Sequence, residues 1–151
     1  VAFVVVLDTG VLGLLSRSPR KLDAATCRKW AHDLMAGGAR VVVPEISDYE
    51  LRRELVRIRA SAGLKRLDAL GGRFHYVSIT TDAMRLAADL WAQARNAGTP
   101  TADPHALDGD VILAAQGRLL EPDRGQLVVA TTNVRHLSQF VPADLWPNIT
   151  P

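Results

Sequence analysis

The sequence predicts an α/β fold: a mostly parallel sheet of four to five strands with helices on both faces. Three observations carry that expectation. Phe3-Val4-Val5-Val6-Leu7 is an unbroken apolar run rich in β-branched residues, the habit of a strand buried on both sides. Similar short runs return at Val41-Val42-Val43 and Leu127-Val128-Val129-Ala130. Segments of helical period lie between them, so strands alternate with helices along the chain.

The elements follow in order. The first strand ends in Asp8-Thr9-Gly10, and Val11 to Leu15 is expected to form a short helical turn. Ser18 then caps a helix from about Arg20 to Ala36, which Gly37-Gly38 stop. Ala39 to Val43 is a second buried strand closed by Pro44. A helix from about Ser47 to Ala60 follows, with Ser47 or Asp48 as its cap, then another from about Leu64 to Leu70 ending at Gly71-Gly72. Phe74 to Ile79 is less continuously apolar, which places it nearer a sheet edge. Thr80-Thr81-Asp82 opens a helix that runs to Asn96. Thr99 to Pro104 is a loop, Ala106 to Leu120 a helix, and Leu127 to Ala130 the fourth strand. The segment from Phe140 onward could add a short edge strand.

Composition bounds the function. The 151 residues suit one domain, taken as 1–151, and 48% hydrophobic with 23% charged residues argues against disorder. A net charge of +2 permits a nucleic-acid partner without requiring one. The single Cys27 excludes an internal disulfide and a cysteine-rich metal site, and reads as a packed helix residue. No stretch approaches the roughly 20 apolar residues that span a bilayer. The first apolar run lacks a preceding basic segment, so a cytoplasmic setting is the default expectation.

Polar residues at the predicted strand ends carry the chemistry. In a parallel sheet, ligands sit beyond the carboxyl ends of the strands. Asp8 and Asn133 end two strands, and Glu50 lies early in the helix after another. Asp110 joins them if its helix starts at the same edge. Clustered carboxylates raise one another's pKa, and oxygen-only ligation suits Mg2+ or Mn2+, which can assist phosphodiester cleavage. Each residue also has a plainer reading: Asp8 as a turn cap, Glu50, Asp108 and Asp110 as charges favoured near a helix start.

The ordered motifs Leu7-Asp8-Thr9-Gly10-Val11-Leu12, Tyr49-Glu50-Leu51, Asp110-Val111-Ile112-Leu113-Ala114-Ala115 and Val129-Ala130-Thr131-Thr132-Asn133 resemble those of PIN-domain nucleases, most of all the VapC-type ribonuclease toxins. The resemblance spans nearly the whole chain. It implies a three-layer α/β/α domain and an acidic pocket that binds Mg2+ or Mn2+ and cleaves RNA endonucleolytically with a metal-activated water. By the same resemblance Asp8 and Asp110 are principal ligands and Glu50 a further acid, direct or through water. It also implies a cognate antitoxin as partner and a homodimer. Asn133 departs from the acidic quartet of many relatives and puts a second metal in doubt. Asp108 could restore the charge only from outside the helix proper, because residues two apart on a helix point in different directions. Thr9 and Thr132 are candidate auxiliary groups, as hydrogen-bond donors to ligands or phosphate.

Basic residues concentrate between positions 52 and 73, with a smaller cluster at Arg17, Arg20 and Lys21. Arg17, Arg20, Arg52 and Arg53 are candidate RNA-phosphate contacts; the plainer reading is a solvated helix face. Two alternatives stand beside the nuclease. One keeps the fold as an inactive RNA- or protein-binding module. The other is a phosphatase or nucleotide-binding domain, against which stands the lack of a Gly-rich phosphate loop.

Overall fold

The computed structural model of the chain describes residues 3–98, 104–120 and 126–151. Its elements are β1 (Val4–Leu7), α1 (Thr9–Ser16), α2 (Leu22–Ala36), β2 (Arg40–Pro44), α3 (Glu45–Arg57), α4 (Ser61–Arg73), β3 (His75–Val77), α5 (Thr81–Asn96), α6 (Pro104–Leu120), β4 (Leu127–Thr131) and β5 (Ala143–Leu145). The five strands form one sheet in the order β3-β2-β1-β4-β5, and every pairing is parallel. The α/β expectation holds, with β3 at one edge as its broken apolar pattern suggested and β5 at the other.

Period two organises the core. Val4 and Val6 pack with α5 and α6 residues such as Leu90, Val111 and Ala114, whereas Val5 and Leu7 pack on the opposite face with Leu12, Leu34 and Leu67. All four β1 side chains are at most 3% exposed. Burial of that kind contributes roughly 1.5–3 kcal/mol per side chain, so the central strand is the main apolar link between the two helical layers.

Several helix boundaries differ from expectation, each for a local reason. Helix α1 begins at Thr9 with Asp8 as its N-cap, so no separate turn precedes it. Helix α2 starts at Leu22 without a side-chain cap, and Ser18 Oγ only accepts from the Arg20 amide at 3.4 Å. Helix α3 starts two residues before Ser47, directly after the extended Pro44. Its Ile46 amide is met from α6, by Gln116 Oε1 at 3.1 Å, so no cap is needed from Ser47 or Asp48. Ser47 is buried with its hydroxyl unpartnered, while Asp48 pairs with Arg52. The helix stops at Arg57 because Arg59 turns into the left-handed region, φ 56°, and the Ala60 amide closes back on the Leu55 carbonyl.

Helix α4 runs through Gly71 and Gly72 to Arg73. The Tyr76 ring covers Gly71, and packing overrides the weak helix propensity of glycine. Strand β3 is shorter than expected, because Phe74 closes α4 instead of opening the strand. Thr80 caps α5 as expected, accepting from the Ala83 amide at 3.1 Å. Helix α6 begins at Pro104, so Asp110 lies in its second turn. The predicted loop 99–104 falls, apart from Pro104, outside the described residues. After β5 the chain returns to α2, where Trp30 Nε1 donates to the Ile149 carbonyl at 2.8 Å and the Trp30 and Trp146 rings meet edge to face. Among the described residues no helix is long and apolar enough to cross a membrane.

Candidate active site

Strand order fixes where a site can form. The chain moves outward from β1 through β2 to β3, then returns to place β4 on the other flank of β1. The gap between the carboxyl ends of β1 and β4 is thus a topological switch point, the usual ligand crevice of an open α/β sheet. Asp8 leaves β1 there. Its Oδ1 accepts from the Thr9 amide at 2.7 Å and its Oδ2 accepts from Thr131 Oγ1 at 2.6 Å. Capping occupies one oxygen of Asp8, and the other is turned toward β4.

Glu50 reaches the same edge from α3, where its Oε1 accepts from Thr9 Oγ1 at 2.9 Å. Arg53 Nη2 stands 4.0 Å from its Oε2. Asp110 enters from α6, close enough to the other two acids for their charges to act on it. The three carboxyls all titrate above the ordinary carboxylate range, with burial as the first cause in each. For Asp8, hydrogen bonds from Thr131 and Thr9 oppose that rise. For Glu50, the Thr9 bond and Arg53 oppose it while Asp8 adds to it. Asp110 has no such relief: burial, Asp8 and Glu50 push it up to about 6.

Among the described residues no three acidic, histidine or cysteine side chains stand together as a ready ion-binding group. Charge coupling acts over longer distances than ligation, so the two observations agree. Like charges repel, and Asp8 and Glu50 are turned to hydroxyl and amide donors instead of to one another. The donor set itself, three carboxylates and no nitrogen or sulfur, fits Mg2+ or Mn2+.

The raised Asp110 pKa has a stability consequence. The folded chain holds a proton that the unfolded chain releases above pH 3.8, so this contribution is full below that value and lost as pH rises through about 6. Asp110→Asn should therefore stabilise the protein at pH 7.5, measured without added divalent ion, and the gain should vanish near pH 4. After discounting for solvent screening of this partly exposed group, the expected gain is about 1 kcal/mol. Urea midpoints at the two pH values check it.

The remaining sequence candidates are distributed around this edge. Asn133 is exposed, and its Oδ1 accepts from the Arg135 amide at 3.1 Å, a local turn contact. Asp108 is exposed and lines a groove with Met84, Trp91 and Ile112, on the α5 side of α6 and not with the three acids. Thr132 is exposed, with its hydroxyl over Gly10. Arg52 is committed to Asp48 and Asp68, and Arg17 pairs with Asp23 at 2.7 Å. Arg20 is exposed in the loop before α2. Arg53 is the one of these four arginines that meets an acid of the cluster.

Two residues at the edge escaped the sequence reading. Thr131, fully buried, rather than its neighbour Thr132, holds Asp8. Strand register decides between them: Leu7 pairs with Ala130, so Asp8 lies opposite the following residue. Gly109 is the other: a Cβ there would lie 2.7 Å from Glu50 Oε2.

No protein-family model and no curated protein matches the sequence. Solved structures match its fold over nearly their full length. A chain in the crystal structure of VapBC2 from Rickettsia felis bound to a DNA fragment from its promoter aligns with a TM-score of 0.70 at 12% identity, covering 95% of this chain and 98% of that one. A chain of VapBC-1 from nontypeable Haemophilus influenzae gives 0.67 at 16% identity, covering 96% and 99%. A chain of FitAcB from Neisseria gonorrhoeae gives 0.64 at 18% identity, again covering 96% and 99%. The five-stranded parallel sheet between helical layers is thus the PIN-like three-layer fold that the sequence resemblance implied.

Proposed function

We propose that the protein is a Mg2+- or Mn2+-dependent endoribonuclease of the VapC toxin type, hydrolysing RNA phosphodiester bonds at the edge formed by Asp8, Glu50 and Asp110. The observation that carries this reading is the arrival of three carboxylates from three separate elements at the sheet's switch point, each pushed up in pKa. The fold shared with chains of VapBC complexes supports it.

Asp8 and Asp110 would hold the ion, with Glu50 as the further acid, directly or through water. A divalent ion bound there would offset phosphate charge and lower the pKa of an attacking water. The chain's own groups do the positioning. The Thr9 amide and Thr131 hydroxyl orient Asp8, and the Thr9 hydroxyl orients Glu50. Arg53, beside Glu50 and over the Tyr49 ring, is set to meet a phosphate at the acid edge, with Arg17 and Arg20 as contacts farther along the strand. An antitoxin protein would be its neutralising partner and a homodimer its working assembly, as the sequence resemblance implies; the likeness to chains of VapBC complexes supports the first.

A second reading is favoured by the turn-bound Asn133 carbonyl and by the separation of the acids: a PIN-like module that binds RNA or protein without cutting. The full chain incubated with structured RNA separates the two. Endonucleolytic cleavage is expected in Mg2+ or Mn2+, abolished by EDTA and restored by adding the ion back. RNA retained on a gel but left uncut in every divalent ion would establish the second reading.

A further inference from the structure

Gly109 occupies the second turn of α6, where the backbone is ordinary helix and φ is not positive. Nothing in that conformation calls for glycine, and in a helix interior glycine is the weaker choice beside alanine. What glycine provides here is space for Glu50. An added Cβ would stand 2.7 Å from Glu50 Oε2, 3.2 Å from its Cδ and 3.4 Å from its Oε1. The Glu50 carboxylate therefore approaches the bare backbone of α6 with its Oε2 foremost. It is held from the other side by the Thr9 hydroxyl, and the next residue of α6 is Asp110. The atom met first is the far end of the Glu50 side chain, so a Cβ at position 109 would displace that carboxylate, which the Thr9 hydroxyl holds at 2.9 Å.

We infer that Gly109 is a positioning residue: it sets how closely Glu50 approaches α6, and through Glu50 it shapes the acidic group. This rests on the nuclease reading for its importance, but its geometry is testable separately. The side chain that a methyl group at position 109 displaces belongs to the candidate site itself.

A double-mutant cycle tests it, using the full chain as parent, Gly109→Ala, Glu50→Ala and the double variant. Two quantities are read: Mn2+ affinity by electron paramagnetic resonance, and the thermal midpoint without divalent ion. In the parent background Gly109→Ala should weaken Mn2+ binding tenfold or more and leave the midpoint level or lower. In the Glu50→Ala background it should leave Mn2+ affinity unchanged and raise the midpoint by about 2–4 °C, the helix preference of alanine once the obstruction is gone. Equal Mn2+ affinity of Gly109→Ala and parent, or an equal loss in both backgrounds, overturns the inference. If the parent binds no Mn2+, the metal reading fails, and the midpoints alone decide about Gly109. A rise in the Glu50→Ala background only supports the inference, and the same rise in both backgrounds overturns it.

Discussion

Replacing Asp8 with asparagine is expected to slow RNA cleavage by about a hundredfold or more, the scale of losing one preorganised electrostatic partner of a transition state, with the fold intact. Asparagine keeps an oxygen for the Thr9 amide, so α1 stays capped. Its amide nitrogen would face Thr131 Oγ1 in place of Oδ2, and that hydroxyl has the Asn133 carbonyl at 3.2 Å as an alternative acceptor. What disappears is one negative charge at the switch point. Cleavage rates in Mn2+ together with thermal midpoints check the expectation. Cleavage at the parental rate would remove Asp8 from the chemistry and leave it a helix cap.

The largest structural effect is expected at Gln116. This side chain is 2% exposed and joins three elements: its Oε1 accepts from the Ile46 amide at 3.1 Å, and its Nε2 donates to the Val77 carbonyl at 3.0 Å. Gln116→Leu keeps most of the volume and removes the Gln116 partner of both backbone groups. An unsatisfied buried group costs about 1–3 kcal/mol, so roughly 2–4 kcal/mol is expected for the pair. For a chain of this size that lowers the thermal midpoint by about 5–15 °C. Circular dichroism melts measure it. A fall below about 2 °C would mean that water replaces the lost amide.

Gln116 also explains why parts of the fold were not legible in the sequence. A helix start is read from nearby capping residues, and Ser47 and Asp48 looked the part. The amide that needed a partner found it 70 residues away, so α3 could begin at Glu45. Gly71-Gly72 misled in the same manner, because Tyr76 packing lies outside a local window. The doubly buried strands were legible, since apolar runs as short as Val41 to Val43 have few other uses in a chain that alternates in this way. At the candidate site, the residue types and their order along the chain were legible for Asp8, Glu50 and Asp110. Their neighbours were not. Whether Thr131 or Thr132 faces Asp8 depends on strand register, and Arg52's commitment to Asp68 depends on how α3 meets α4.

The pairing of β1 with β4 has a consequence for the order in which the protein matures. A nascent chain that has emerged only as far as Leu120 already contains Asp8, Glu50 and Asp110. It lacks the flank of β1 that β4 supplies, and it lacks Thr131. Contacts between residues so distant in sequence form late and slowly. The acidic edge is therefore completed only after β4 has emerged and docked, and an incomplete chain carries all three acids without the crevice that gathers them.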